Sequence, residues 1–337
     1  MQKVLFGVGI LVALFLLGGF ALPSKSRFIV SADIDAPRAT VFALVNGMQR
    51  ARLWSPIAES DPNARIVFSG PNRGVGSTLT WDGNVAGSGT QTISDSRPFE
   101  FVETTINAGE PGQSRTWFEL DEKAGLTHVQ WGFEHDYGLN VVGRYLGLIV
   151  TGVIRSEYER SISSLQDLAE SLPRADFGNI EIEQLVVEAV DIAYLSATSA
   201  PAPGATSAAM GDALYEILSF IDDNGLSEAG APMSIARAFR GAELRFDAAI
   251  PVRGVTDATP RNSSGVRIGA SYRGVVVRAK HIGSYRTLGE THRKIAAYFA
   301  ALGIERNGDA WESYVSDPTR TDEADLLTYI YYPIRML

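Results

Sequence analysis

Leu244-Arg245-Phe246-Asp247-Ala248-Ala249-Ile250-Pro251-Val252 and Leu327-Thr328-Tyr329-Ile330-Tyr331-Tyr332-Pro333-Ile334 are two strand patterns with one ending: an aliphatic or aromatic residue, a proline, then an aliphatic residue. Each follows a helix pattern. Ala213 to Leu226 sets Leu214, Ile217, Leu218 and Ile221 on one face and stops at Asn224-Gly225, a C-terminal signal. His292 to Ile304 sets Ile295, Tyr298, Phe299 and Leu302 on one face and stops at Gly303. The period of about 80 residues is too long for a solenoid unit and occurs only twice. It predicts a pseudo-twofold α+β domain with an antiparallel sheet. Strand alternation puts Tyr329 and Tyr331 on one face and Ile330 on the other. If Ile330 packs on a helix, the two tyrosines face a cleft. With Trp311 and Tyr314 they are then expected to form an aromatic box for flat or cationic ligands.

The residues that carry this pattern also carry a resemblance. Arg245 to Val252, Ala279-Lys280-His281-Ile282-Gly283-Ser284-Tyr285, Trp311-Glu312-Ser313-Tyr314, Asp317-Pro318 and Tyr331-Tyr332-Pro333-Ile334 are similar to the GyrI-like (AraC effector-binding) small-molecule-binding family. The resemblance covers most of 180–337. It implies a cleft across the twofold seam, lined by aromatics. Family members often carry a glutamate in the last strand, used to hold cationic drugs or, in hydrolase members, for catalysis. Counting back from Pro333, that position is Tyr329 here, which weakens both roles. Its repeat counterpart is Asp247, at the same place relative to Pro251. The expected ligand residues of this domain are Asp247, Trp311, Tyr314, Tyr329 and Tyr331.

Pro173 to Gly178 breaks a long helix and marks a boundary, with a linker over 173–179. Ser196 to Ala209, small, polar and Pro-rich, reads as a flexible loop inside the second domain. Before the boundary, 26–172 forms another body. A strand pattern over Arg27 to Asp33 leads into Asp35-Ala36-Pro37, with Asp35 as a helix cap and Pro37 in the first turn. Strand patterns follow at Arg65–Ser69, Ser77–Trp81, Gly87–Ser94, Phe99–Ile106, Ser114–Leu120 and Thr127–Glu134, then a helix over Val142–Ser171. The spacing predicts an antiparallel meander closed by a long helix, a helix-grip shape. Ile34-Asp35-Ala36-Pro37, Val41-Phe42, Trp54-Ser55-Pro56, Ser69-Gly70-Pro71, Gly74-Val75-Gly76 and Val129-Gln130-Trp131 resemble the START-like polyketide cyclase/dehydrase (SRPBCC) superfamily. That resemblance implies a deep pocket between curved sheet and long helix for a hydrophobic ligand, with Trp54, Trp81, Trp117 and Trp131 near it. Glu103, Glu119 and Glu134 lie on strands, where alternation ordinarily puts them in water.

At the amino terminus, Val4 to Leu22 runs without a charged side chain. At about 1.5 Å per residue it is just long enough for a bilayer core of roughly 30 Å. The exit, Phe20 to Lys25, lacks an A-x-A cleavage pattern. Residues 1–25 are therefore expected to be an uncleaved single-pass anchor in a bacterial inner membrane, with the soluble part periplasmic.

Removing that segment leaves about 310 residues, a length for two domains. The net charge of −9 argues against a nucleic-acid partner, which needs a basic face. The chain has no cysteine, and its four histidines lack metal-ligand spacing, so neither a metal nor a cofactor is expected. No G-x-S-x-G elbow occurs, and Gly70 to Gly76 lacks the Lys-Ser/Thr of a phosphate loop. These readings converge on a membrane-tethered binding protein for hydrophobic, amphipathic or cationic-aromatic small molecules, without catalytic residues. A cyclase or hydrolase using a pocket carboxylate, and a scaffold with filled pockets, are the alternatives.

Overall fold

A computed structural model describes residues 2–109, 112–200, 204–240, 243–263 and 265–335. The chain divides into two compact units, one of Met1–Gly178 and Ala300–Gly303, the other of Asn179–Phe299 and Ile304–Leu337. Both are mixed α+β with antiparallel sheets, the class the strand and helix patterns predict.

The first unit contains α1 (Gln2–Ala21), β1 (Lys25–Ile34), α2 (Arg38–Val45), α3 (Met48–Ala51), α4 (Pro56–Ser60), β2 (Arg65–Ser69), β3 (Thr78–Asp82), β4 (Ser88–Arg97), β5 (Phe101–Asn107), β6 (Gln113–Lys123), β7 (Leu126–Asp136) and α5 (Val141–Ser171). Its seven strands run in the order β1-β7-β6-β5-β4-β3-β2. β2 to β7 form a meander, and β1 closes the far edge against β7, with Phe28 opposite Phe133 and Val30 opposite Trp131. The Asn140 side chain caps α5 by accepting from the Gly143 N–H at 2.9 Å. One face of α5, carrying Tyr158, Ile162, Leu165 and Ala169, joins the core with Phe28, Val30, Val129, Trp131 and Phe133. Two strand glycines make room for indoles. A Cβ on Gly132 would meet Trp117 at 2.2 Å, and one on Gly89 would meet Trp81 at 2.5 Å.

α1 carries the apolar run at 4–22. Among the described residues, no helix is long and apolar enough to cross a membrane. The described side chains of α1 begin at Phe6, which leaves fewer than the roughly 20 residues a spanning helix needs. The expected single-pass helix is therefore not found.

The second unit contains β8 (Ile182–Val187), β9 (Asp191–Ser199), α6 (Ala205–Asp223), β10 (Ser227–Glu228), β11 (Met233–Arg240), β12 (Glu243–Arg253), β13 (Asn262–Ser263), β14 (Val266–Ala270), β15 (Gly274–Ile282), α7 (Leu288–Leu302), β16 (Trp311–Tyr314) and β17 (Leu327–Pro333). Its main sheet runs β13-β14-β9-β12-β11-β16-β17-β15-β8. The repeat is now explicit. β9-α6-β11-β12 and β15-α7-β16-β17 are the same strand–helix–strand–strand unit. Their strands lie as β9-β12-β11 and β16-β17-β15, reversed about the β11–β16 seam as a twofold requires.

The expected flexible loop at Ser196 to Ala209 is mostly regular structure. Ser196 to Ser199 finish β9, paired with Asp247 to Leu244, and α6 begins at Ala205. A ladder partner fixes the first part, and alanine's helix propensity serves the second. Residues 201–203 of that loop lie outside the described residues.

Candidate functional site

Register decides which side chains of the second unit share a face, because residues directly opposite in an antiparallel ladder point the same way. One row reads Leu195, Ala248, Ser234, Glu312, Ile330, Ala279, Ile182. This face meets the helices: Ala248 clusters with Ile217 and Phe220 of α6, and Glu312 meets His292 of α7. The next row reads Ser196, Asp247, Ile235, Trp311, Tyr331, Arg278, Glu183. A further row on that second face holds Tyr194, Ala249, Met233, Ser313, Tyr329 and Lys280.

Four of the five sequence-predicted residues of this domain therefore share the helix-free face: Asp247, Trp311, Tyr329 and Tyr331. Trp311 and Tyr331 stack face to face, with centroids 4.7 Å apart and planes 5° from parallel. Tyr329 stands edge-on to Tyr331 at 6.3 Å, and Tyr272 lies 6.0 Å from Trp311. Beside them sits an apolar cluster of buried Ile192, Met233 and Ala249 with Tyr194, Ile235 and Trp311 packed around it. Asp247 is 4% exposed and accepts a hydrogen bond from the Ser196 hydroxyl at 2.6 Å. The Arg278 guanidinium lies 4.5 Å from the Tyr329 ring centre and pairs with Glu183, so Tyr329 already holds a cation of the chain's own.

Tyr314 does not join that box. It is one residue from Ser313 and so points to the helix-covered face. There its hydroxyl donates to Glu312 Oε2 at 2.6 Å, while His292 Nε2 sits 2.7 Å from Glu312 Oε1 and His292 Nδ1 2.7 Å from the Tyr332 hydroxyl. The imidazole thus bridges the carboxylate and the Tyr332 hydroxyl through its two ring nitrogens. Burial, and then the Glu312 charge, push the Tyr314 phenol well above its ordinary range. Burial likewise raises Tyr332. Both Glu312 oxygens are engaged, which makes this carboxylate a structural acceptor and a poor free nucleophile.

In the first unit, Trp54, Trp81 and Trp131 belong to the core cluster and are 2–4% exposed. Trp131 stacks on Phe118 at 4.8 Å, contacts Tyr158 at 4.1 Å and meets Trp54 edge-on at 5.6 Å. Their indole N–H groups are all satisfied inside the protein. Trp54 donates to the Leu44 carbonyl, Trp81 to the Ala86 carbonyl and Trp131 to the Thr116 hydroxyl. Trp117 departs from expectation. It lies on the other face of the sheet, over Gly132, with the Arg27 and Arg115 guanidiniums 5.0 and 5.1 Å from its ring. Glu134 on that outer face is held below the usual carboxylate range by the Lys25 hydrogen bond, with Arg115 adding to it against a cost from burial.

Clefts open beside both helices of the second unit. One, of about 430 Å³, lies between β9 and α6 against Leu195, Ala197, Ala213, Asp212, Tyr215 and Glu216. The other, of about 480 Å³, lies beside α7 against Lys280, His281, Thr287, Glu290, Thr291 and Lys294. Neither is lined by a sequence-predicted site residue. Ile192, Met233, Ile235, Tyr194 and Arg278 on the helix-free face were missed, because only cross-strand register brings them together. His292 and Tyr332 were missed as well, although His292 falls on the apolar face of α7 with Ile295 and Phe299, the side that meets the sheet. Among the described residues, no group of His, Cys, Asp and Glu is arranged to hold a metal.

No curated protein matches this sequence. Among solved structures, the chain resembles the EcmrR C-terminal domain at 11% identity and a TM-score of 0.39, over 47% of this chain and 99% of that one. It also resembles EcmrR in a DNA complex at 12% identity and 0.42, over 64% and 88%. A hydrolase from Listeria innocua matches at 12% identity and 0.34, over 46% and 92%. Residues 180–335 form a GyrI-like domain, matching the family described as the GyrI-like small molecule binding domain.

Proposed function

We propose that the GyrI-like domain binds a flat amphipathic small molecule on the helix-free face of its sheet, and that α1 holds the chain at a lipid surface. GyrI-like domains bind small molecules, which supports the class of activity. The observation that carries the choice of face is the apolar cluster around Met233, Ile235 and Trp311. An antiparallel sheet with helices on one side ordinarily presents polar side chains on the other. Here that side presents a Trp–Tyr stack and aliphatic neighbours, a surface suited to an aromatic plane. Asp247 lies two strands from Trp311 in the same row, about 10 Å away by strand spacing. A guest with one cationic end then sets its ring on Trp311, and the buried Asp247, bonded to Ser196, contributes negative charge from beneath that face rather than a direct contact. Tyr329, covered by Arg278, serves as a wall.

The first unit is a meander packed on a long helix. We assign it a supporting role, because Trp54, Phe118, Trp131 and Tyr158 fill its interior with one another.

Native mass spectrometry of the full chain, extracted with its own lipids, tests the reading. The expected result is a co-purifying amphipathic molecule that is lost from the Trp311→Ala variant. Retention of the same molecule by that variant, with loss from Trp131→Phe instead, would place the guest in the first unit and overturn the assignment.

A further inference from the structure

We infer that the first turns of α5 form a second lipid-contacting element beside α1. This rests on the reading that α1 meets lipid. The described part of α1 is apolar on every side. At 100° per residue, Phe6, Leu11, Val8 and Leu16 point in four different directions, yet all are exposed. A protein groove or a second copy covers one face of a helix, whereas acyl chains cover all of them. α5 continues that surface. Val142, Leu146, Ile149 and Val153, spaced i, i+4, i+7, i+11, make one stripe, and they are exposed by 55%, 54%, 72% and 60%.

The opposite side of the same turns is fixed to the protein. The Thr151 hydroxyl donates to the Ser26 hydroxyl at 2.8 Å, and Gly143 and Gly147 lie against Tyr137. The stripe therefore cannot roll inward. Between Arg144 and Arg155 there is no charged side chain, a stretch of about 15 Å, enough to enter one leaflet and too short to cross.

The two helices are joined where they approach the body. Phe15 stacks on Tyr145 at 4.7 Å, and the Tyr145 hydroxyl donates to the Phe15 carbonyl at 3.0 Å. Arg144 Nη1 donates to the carbonyls of Phe20 and Leu22 at 3.2 Å each, which satisfies the end of α1. Arg144 thus sets a cation where the two helices join, suited to lipid phosphates, whereas Lys25 is paired with Glu134 and Asp136. That charge, with the all-round apolar surface, commits the occupant to a lipid bilayer.

The chain's lack of cysteine makes the test clean. Full-length Leu14→Cys, Ile149→Cys and Ser163→Cys proteins are labelled with the polarity-sensitive fluorophore NBD. They are mixed with vesicles of phosphatidylcholine and phosphatidylglycerol, some carrying nitroxide lipid. The labels at 14 and 149 are expected to shift to the blue and to be quenched, while the label at 163 stays in water. A paired Leu146→Ser/Ile149→Ser variant, with circular dichroism confirming its fold, is expected to partition about tenfold more weakly or worse. If 14 reports lipid and 149 matches 163, α1 anchors alone and the inference fails. If no label senses vesicles, the reading of α1 fails as well. A blue shift at 149 without vesicles, growing with protein concentration, would assign the stripe to a second copy.

Discussion

Replacing Trp131 by alanine tests whether the interior of the first unit is packed or hollow. The side chain is 2% exposed and touches Phe118, Tyr158 and Trp54, so no solvent-filled wall is available to relax into the space. Truncating a buried tryptophan costs about 3–5 kcal/mol, through lost transfer energy and an incompletely collapsed cavity. At about 2–4 °C per kcal/mol for a unit of this size, the unfolding midpoint should fall by roughly 6–20 °C. Trp131→Phe keeps a ring but removes the 2.6 Å donation to Thr116, so it should cost only about 1–2 kcal/mol. Thr116 still donates to the Gly132 carbonyl, which limits that loss. The measurement is thermal unfolding followed by near-ultraviolet circular dichroism, which reports the aromatic cluster directly. A Trp131→Ala midpoint within about 2 °C of the parent would refute a packed interior and restore the ligand pocket that the sequence predicted there.

Further outcomes follow from particular contacts. Gly132→Ala should unseat Trp117 from between Arg27 and Arg115, at about 1–3 kcal/mol, seen as a red-shifted tryptophan emission that Trp117→Phe removes. Tyr158, Tyr314 and Tyr332 are held above the ordinary tyrosine range, so the folded state keeps protons that the unfolded chain releases near pH 10. Stability should therefore fall as pH rises past about 10, with a shallower fall in Tyr314→Phe, read from denaturant midpoints against pH. Glu134 has the opposite sign. Its depressed value stabilises the fold above the ordinary glutamate range, and that contribution is lost as pH falls through it, so Glu134→Gln should flatten the acid limb. Arg144→Ala strips the carbonyl contacts at the end of α1 and should speed proteolysis near residue 22 without lowering the main unfolding midpoint.

Much of the fold was legible because alternation and helical periodicity are strong where one face is buried. Arg65–Ser69 matches β2 residue for residue, and the repeated aliphatic-Pro-aliphatic endings mark β12 and β17. The misses have local causes. Asp35 looked like a cap, but the helix opens from Pro37 and the Asp35 carboxylate pairs with Arg174. Trp117 looked like pocket wall, although its strand-face partners Arg115 and Glu119 already pointed to solvent. Only one of the adjacent Trp117 and Phe118 can face the core, and the pairing of Phe118 with Trp131 decides which. Tyr314 failed for the same period-two reason: three residues from Trp311, it points to the opposite face of the strand. The apolar cluster on the helix-free face was not legible, since Ile192, Met233 and Ala249 come from three strands whose register no single segment encodes.

The central claim is that the helix-free face around Trp311 receives a guest. Trp311 is the sole tryptophan beyond residue 178, so its fluorescence can be isolated by comparing the parent with Trp311→Phe. Titration with proflavine, a flat aromatic cation, is expected to quench parent emission saturably. That component should be absent in Trp311→Phe and need higher dye concentrations in Tyr331→Ala and Asp247→Asn. Saturable quenching of equal size in the parent and in Trp311→Phe, or none in either, would contradict the claim.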